Sequence, residues 1–428
     1  MLRCGLLNRP AELIDQPCFL NNTCLCLAVE MTYSTVYSII LRSEEVRDNS
    51  GPLQVTFPLG DIMPRSLSIA AARTGVAVAI ALGCSGSPDP STAPSTSTTA
   101  VAAAVPTLTP QHSGTTNRLQ AVSPVSRNVV WASGVGGTFV VTTDGGQHWR
   151  RGVVAGARDL EFRDVQGVSA NVAYLMSAGP GAASRIYKTT DGGQSWKLQF
   201  QNQKADAFYD CIAFWDSQRG LAFSDPVNRR FPVLRTTNGF AWHDIGDRLP
   251  RALEGEFGFA ASGTCVATHG DRRAWITTGG ATRARILATT DGGNSWRAYD
   301  TPLVSNPSAG GFTVAFRTGS HGIVAGGDLT PWHPHPRNRI AISDDGGKTW
   351  DLVKPPPFNG AVFGLSYVPE RGRRVVITGP GGAAWSQSEG EEGWTTLPGV
   401  EDYWAVAFAD DQSGWLVGTE GRILKVSF

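Results

Sequence analysis

The chain has 428 residues, with 37 Lys and Arg against 37 Asp and Glu, so its formal net charge is zero. That balance argues against the broad basic surface that phosphate-backbone binding needs, and no nucleic acid partner is expected. Hydrophobic residues at 41%, 13 Trp and 50 Gly exclude a chain disordered throughout, and point to many short strands joined by tight turns.

Residues 1–62 differ from everything after them. They hold Cys4, Cys18, Cys24 and Cys26, with no partner residues spaced to complete a four-ligand metal site. Over 63–84, Arg65 and Arg73 precede the apolar run 74–82 and then Gly83-Cys84, the layout of a secretory signal. The run is too short for a membrane-spanning helix, which needs about 20 apolar residues. Ala81-Leu82-Gly83-Cys84 resembles the lipobox of bacterial lipoproteins, with Ala81 where Leu is usual. The resemblance implies acylation of Cys84 and an exported protein lipid-anchored in the cell envelope, periplasm-facing or at an outer membrane. Residues 1–62 are then an untranslated or unstructured extension from a start codon placed too early. Ser, Thr, Pro and Ala make up 24 of the 33 residues 85–117, a composition that predicts a disordered tether.

From about 118 to 428 the chain repeats. Thr142-Thr-Asp144-Gly-Gly-Gln-His-Trp149 recurs around Asp191 with Trp196, Asp291 with Trp296 and Asp345 with Trp350. Degenerate copies lie around Asn238 with Trp242 and at 386–394, ending in Trp394. An aromatic-led or apolar inner-strand candidate precedes each box: 119–122, 162–165, 209–212, 263–266, 312–315, 363–366 and 403–406. Four short strands per unit and seven units predict an all-β, seven-bladed propeller of four-stranded antiparallel blades. The seventh unit ends at Phe428 after three strands. Because an open ring leaves unpaired edges, a segment just before Leu119 is expected to supply the missing outer strand. The box residues Asp144, Asp191, Asn238, Asp291 and Asp345 read as structural: Gly tolerates the left-handed turn, and the acid accepts nearby amide hydrogens.

These boxes are Asp-boxes, or bacterial neuraminidase repeats. Their fuller context, Arg-Ile followed by the Thr-Thr-Asp-Gly-Gly box and Trp, resembles the photosystem II stability/assembly factor family of seven-bladed propellers. That family is thought to meet its client through an arginine patch. The resemblance implies the same for Arg185, Arg285, Arg339 and Arg422, which would begin third strands on the rim away from the boxes. Guanidinium groups there suit an anionic or acidic protein partner. Thr138 and Pro232 stand at the matching places of the first and third units.

Other chemistry is thinner. Sialidases and some endoglucanases share Asp-boxes, and Asp210, Asp216, Asp225, Glu254 and Glu256 are the acidic candidates for a glycoside hydrolase. No Tyr–Glu nucleophile pair of the sialidase kind is visible. Asp328, His333 and His335 in a fifth-unit insertion read as a rigid loop, with no metal or other cofactor expected. Trp332 at its tip would suit a protein partner or a glycan. Cys211 and Cys265 lie at equivalent places in neighbouring units. Buried free thiols are expected there, with a disulfide as the alternative that export would permit. The favoured function is a non-enzymatic docking scaffold or assembly factor for a membrane or envelope protein. The alternative is a carbohydrate-active or glycan-binding propeller.

Overall fold

The computed structural model describes residues 16–20, 23–27, 105–330 and 337–428. The signal at 63–84 with its Cys84, and the loop tip with Trp332, His333 and His335, lie outside the described residues. The chain divides into two compact units, Met1–Thr96 and Ser97–Phe428. In the first, Gln16–Leu20 pairs antiparallel with Thr23–Leu27. The second is a seven-bladed propeller, each blade a four-stranded antiparallel sheet.

Blade 1 runs Leu119–Pro124, Val130–Gly134, Thr138–Thr142 and Arg150–Val153 from the axis outward. The inner strands of the next blades are Glu161–Gly167, Tyr209–Phe214, Val266–His269, Ala309–Phe316, Gly364–Tyr367 and Tyr403–Asp410. Blade 7 takes its first three strands from the C-terminal end and its outermost from Thr107–His112. That segment pairs with Arg422–Ser427 in the register Thr107↔Ser427 to His112↔Arg422. Ring closure therefore follows the expectation, and it corrects the tether: residues from 105 to 117 belong to the propeller, despite their Ser, Thr and Pro content.

The core is layered between blades. Buried apolar clusters occupy all seven junctions, and strands alternate their side chains so that each sheet serves two of them. At the closing junction Leu119, Val130 and Val140 of blade 1 meet Ala405, Trp415 and Ile423 of blade 7. Large rings fill these layers: Trp275 stacks on Phe316 at 3.5 Å between centroids, and Trp131 meets Trp196 edge-on at 6.0 Å.

The Asp-box turns are joints as well as hairpins. Thr189 Oγ1 accepts the Gly193 N–H at 2.8 Å and donates to Asp191 Oδ1, which also accepts the Ser195 N–H at 2.9 Å. Thr142, Thr289 and Ser343 repeat the arrangement with Asp144, Asp291 and Asp345. The carbonyl of the glycine after the acid then points at the preceding blade. Gly192 O is held by Arg150, Gly239 O by Tyr174 and Lys188 at 3.1 Å each, Gly292 O by Arg235 at 3.0 Å, and Gly346 O by Trp275 at 2.8 Å. In blade 6 Glu389 takes that position with φ of 56°, and its carboxylate is gripped by Arg317 of blade 5 at 3.0 Å. The side chain replaces the carbonyl as the handle.

The closing strand makes the equivalent joint to blade 1. Gln111 donates to Gly145 O at 3.1 Å and accepts the indole N–H groups of Trp149 and Trp415 at 3.1 and 3.2 Å. Trp415 is fully buried, so Gln111→Leu strands its N–H without a partner. We expect a loss of about 1–3 kcal/mol in urea unfolding followed by tryptophan fluorescence.

Candidate functional site at the upper mouth

Third strands begin on the face opposite the Asp-box turns, and the four rim arginines all start there. The structure does not assemble them into one exposed cluster. Arg285 is buried: its Nε and Nη2 meet Glu256 at 2.9 and 2.5 Å, and Nη2 also donates to Arg251 O. Glu256 is saturated by the Thr278 hydroxyl at 2.6 Å and the Leu253 N–H at 2.7 Å. Arg339 is buried as well, donating to the carbonyls of Phe358, Pro356 and Gly360. Both hold loops in place and present no guanidinium to a partner. Arg185 is half-buried, bonded to Ala182 O at 2.7 Å and to the Tyr187 hydroxyl. Arg422 meets Glu420 at 3.1 Å and its side chain is 40% exposed.

The axis is occupied by the chain itself. The expected inner strand at 263–266 begins only at Val266, and the preceding residues cross the mouth. Gly258 N–H donates to Asp225 of blade 3 at 2.8 Å, while Arg163 of blade 2 donates to Ala260 O at 3.4 Å. Ser262 Oγ donates to Phe363 O of blade 6 at 2.6 Å, and Thr264 Oγ1 donates to Thr313 Oγ1 of blade 5. A segment touching blades 2, 3, 5 and 6 can lie only at the centre of the ring. Small residues let it pass: a Cβ on Gly263, whose φ is +75°, would sit 2.6 Å from Asp164 Cγ, and one on Gly258 would sit 2.9 Å from Asp210 Oδ2.

The plug carries Phe257 and Phe259 into an aromatic chain. Phe259 stacks on Phe312 at 4.1 Å, Phe312 meets Phe363 at 5.9 Å, and Phe363 meets Trp404 at 5.4 Å. The Arg118 guanidinium lies over Trp404 at 5.1 Å and 3.9 Å from Glu161. Burial lowers its pKa, with the Glu161 charge opposing. Neither Arg118 nor Trp404 was singled out in the sequence. Both begin inner strands, and that position next to an axial aromatic is the signal that could have found them.

Beneath the plug lie three acids. Burial pushes Asp164 well above the usual carboxylate range, against the Ile212 N–H that its Oδ2 accepts at 2.6 Å. Burial, and then the neighbouring Asp225 charge, push Asp210 in the same direction, while burial raises Asp225 to about 7. The two carboxyls interact directly, and among the described residues no hydrogen-bond donor reaches the buried Asp210 Oδ2. Of the other acidic candidates, Glu256 is locked to Arg285, Asp216 caps its own turn and pairs with Arg219, and Glu254 is exposed. Asp328 is engaged by Ser308 at 2.7 Å and Asn306 at 3.0 Å.

Cys211 and Cys265 form a disulfide, with their Cα atoms 5.9 Å apart, in place of the expected free thiols. Adjacent inner strands diverge, but Cys265 precedes its strand, directly after the plug, and so comes within reach.

Fold and motif together define a seven-bladed Asp-box propeller. The BNR/Asp-box repeat family model matches residues 341–352. Among solved structures the chain is similar to YCF48 bound to D1 peptide, at 19% identity and a TM-score of 0.54, over 76% of this chain and 97% of that one. It is also similar to YCF48 from Cyanidioschyzon merolae, at 15% identity and a TM-score of 0.50, over 75% and 98%. The WD40 β-propeller domain of Doa1 matches at 11% identity and a TM-score of 0.50, over 75% and 97%. No curated protein matches the chain. The propeller architecture of the photosystem II assembly factor YCF48 is thus the one this chain adopts.

Arg285→Ala leaves Glu256 buried and charged without its cation. It should cost about 3–5 kcal/mol in urea unfolding. Arg422→Ala, at the exposed rim, should cost under about 1 kcal/mol.

Proposed function

We propose that the chain is a non-enzymatic docking scaffold or assembly factor that engages a membrane or envelope protein from the upper face of its propeller. One observation carries this reading. The axial mouth is filled by residues 256–264, which pack over Asp164 and Asp210, and Arg185, Arg422, Arg118 and Trp404 stand at strand starts on the same side. A face of that kind suits a polypeptide surface better than a small substrate needing an enclosed pocket. The likeness to a propeller solved with a peptide bound supports the reading at the level of the fold.

The test is co-purification from gently solubilised host membranes, comparing wild type with Arg185→Glu/Arg422→Glu. A stoichiometric partner that is present with wild type and at least tenfold depleted with the variant is the expected result. Equal recovery with both would overturn docking through this rim. Wild-type protein that brings down no partner but hydrolyses a polysaccharide would overturn the docking function altogether.

The scaffold is further proposed to be exported and held to an envelope membrane through lipid on Cys84. The Cys211–Cys265 disulfide supports an oxidising compartment, where such bonds persist. Cys84→Ala should move the protein from the membrane pellet to the soluble fraction, and the wild type should show the mass of an acylated N-terminal cysteine.

A further inference from the structure

We propose that residues 253–264 form a proton-operated plug, which the Asp210–Asp225 pair holds across the mouth when it shares a proton and releases when both carboxyls ionise. The inference stands apart from the docking reading, since it concerns what covers the axis and not what binds the rim.

The geometry isolates the pair as the latch on this side of the ring. Asp225 Oδ1 accepts the Gly258 N–H at 2.8 Å, and the Asp210 carboxyl packs against Gly258 so closely that a Cβ there would collide with it. A second negative charge placed under that glycine has no counter-ion of its own. On the blade 2 inner strand Arg163 is the cation facing Asp210, but it is already paired with Glu161 at 2.9 and 2.7 Å. Asp164, on the same strand, is itself an acid. On the plug, Glu256 is committed to Arg285. On the loop after Asp225, Arg229 donates to Ala252 O and Arg230 pairs with Asp244 and Asp247.

The remaining holds do not titrate with the pair: the paired backbone bonds of Phe257 with Gly279, the long Arg163 bond to Ala260 O at 3.4 Å, the Ser262 hydroxyl on Phe363 O, the Thr264 hydroxyl on Thr313, and, at the ends, the Glu256–Arg285 pair and the disulfide at Cys265. Released in its middle, the plug stays attached at both ends and opens as a loop. Its departure withdraws Phe259 from Phe312 and uncovers a buried aromatic face at the axis.

The sign follows from proton binding. With the plug closed the pair holds protons more tightly than ordinary carboxylates do; with the plug open both carboxyls are solvated. Closure is therefore fully supported below the ordinary carboxylate range near pH 4, and it weakens as pH rises through the raised value of Asp225, about 7, and beyond toward that of Asp210.

The experiment is hydrogen exchange of the full chain, disulfide intact, from pH 5 to 9, with the intrinsic pH dependence of exchange removed. Amides of 256–264 should lose protection across the whole range, by up to about tenfold per pH unit above pH 7, where opening releases one proton, and more steeply below it, where opening releases two. The Asp-box amides of 289–296 should not follow. Asp210→Asn, which hydrogen-bonds to Asp225 without needing the shared proton, should flatten the profile. Asp225→Asn keeps the acceptor for Gly258 and provides the same comparison if the first variant folds poorly. A flat wild-type profile, or variants with the wild-type slope, would overturn the proposal.

Discussion

Every blade leans on its neighbours, so the structure depends on one pairing, that of Thr107–His112 with Arg422–Ser427. A four-stranded sheet of this length cannot bury both of its faces alone, and each apolar layer lies between two blades. Were blade 7 left with three strands, its outer edge would stay unpaired and Gln111 would no longer hold Trp149, Trp415 and Gly145 together. The closing strand is therefore the bond that turns a row of repeats into a ring.

The Asp-box serves the same end at smaller scale. Its hydroxyl and carboxylate satisfy the turn's own amides, which frees the glycine carbonyl for a donor from the preceding blade. The donors differ from joint to joint: Arg150, Tyr174 with Lys188, Arg235, Trp275 and Gln111. This explains how the box can keep its spacing while the units around it vary in length. Outside blade 6 the turn offers the same carbonyl acceptor, and any long donor at the right height can reach it.

The fold was legible for that reason. Boxes at 47, 46, 54, 54 and 44 residues and an aromatic-led or apolar strand before each of them fixed blade number and strand order without reference to packing. The closing strand followed from the arithmetic of a ring, although composition placed Thr107–His112 in a tether. Its alternate side chains are mostly exposed, so it needed no apolar pattern. The mouth was not legible. Gly263–Val266 has the same look as an inner strand, and nothing local distinguishes it from a segment crossing the axis to Asp164 and Phe363. Arg285 and Arg339 look like Arg185 and Arg422 in register. Only the neighbours Glu256 and the 356–360 carbonyls, brought in by other loops, turn two of the four into buried fixtures. The disulfide depended on the same misplaced segment.

The ring's closure also sets an order of events in time. Thr107–His112 leaves the ribosome before any of the propeller's other strands, yet its partner Arg422–Ser427 is made last. During all the intervening synthesis the segment is a lone strand with no template. Blades can collapse pairwise as they appear, but the final joint is a contact between residues some three hundred positions apart, the slowest kind to find. Completion of the ring is therefore held back until both strands of the closing pair have been made.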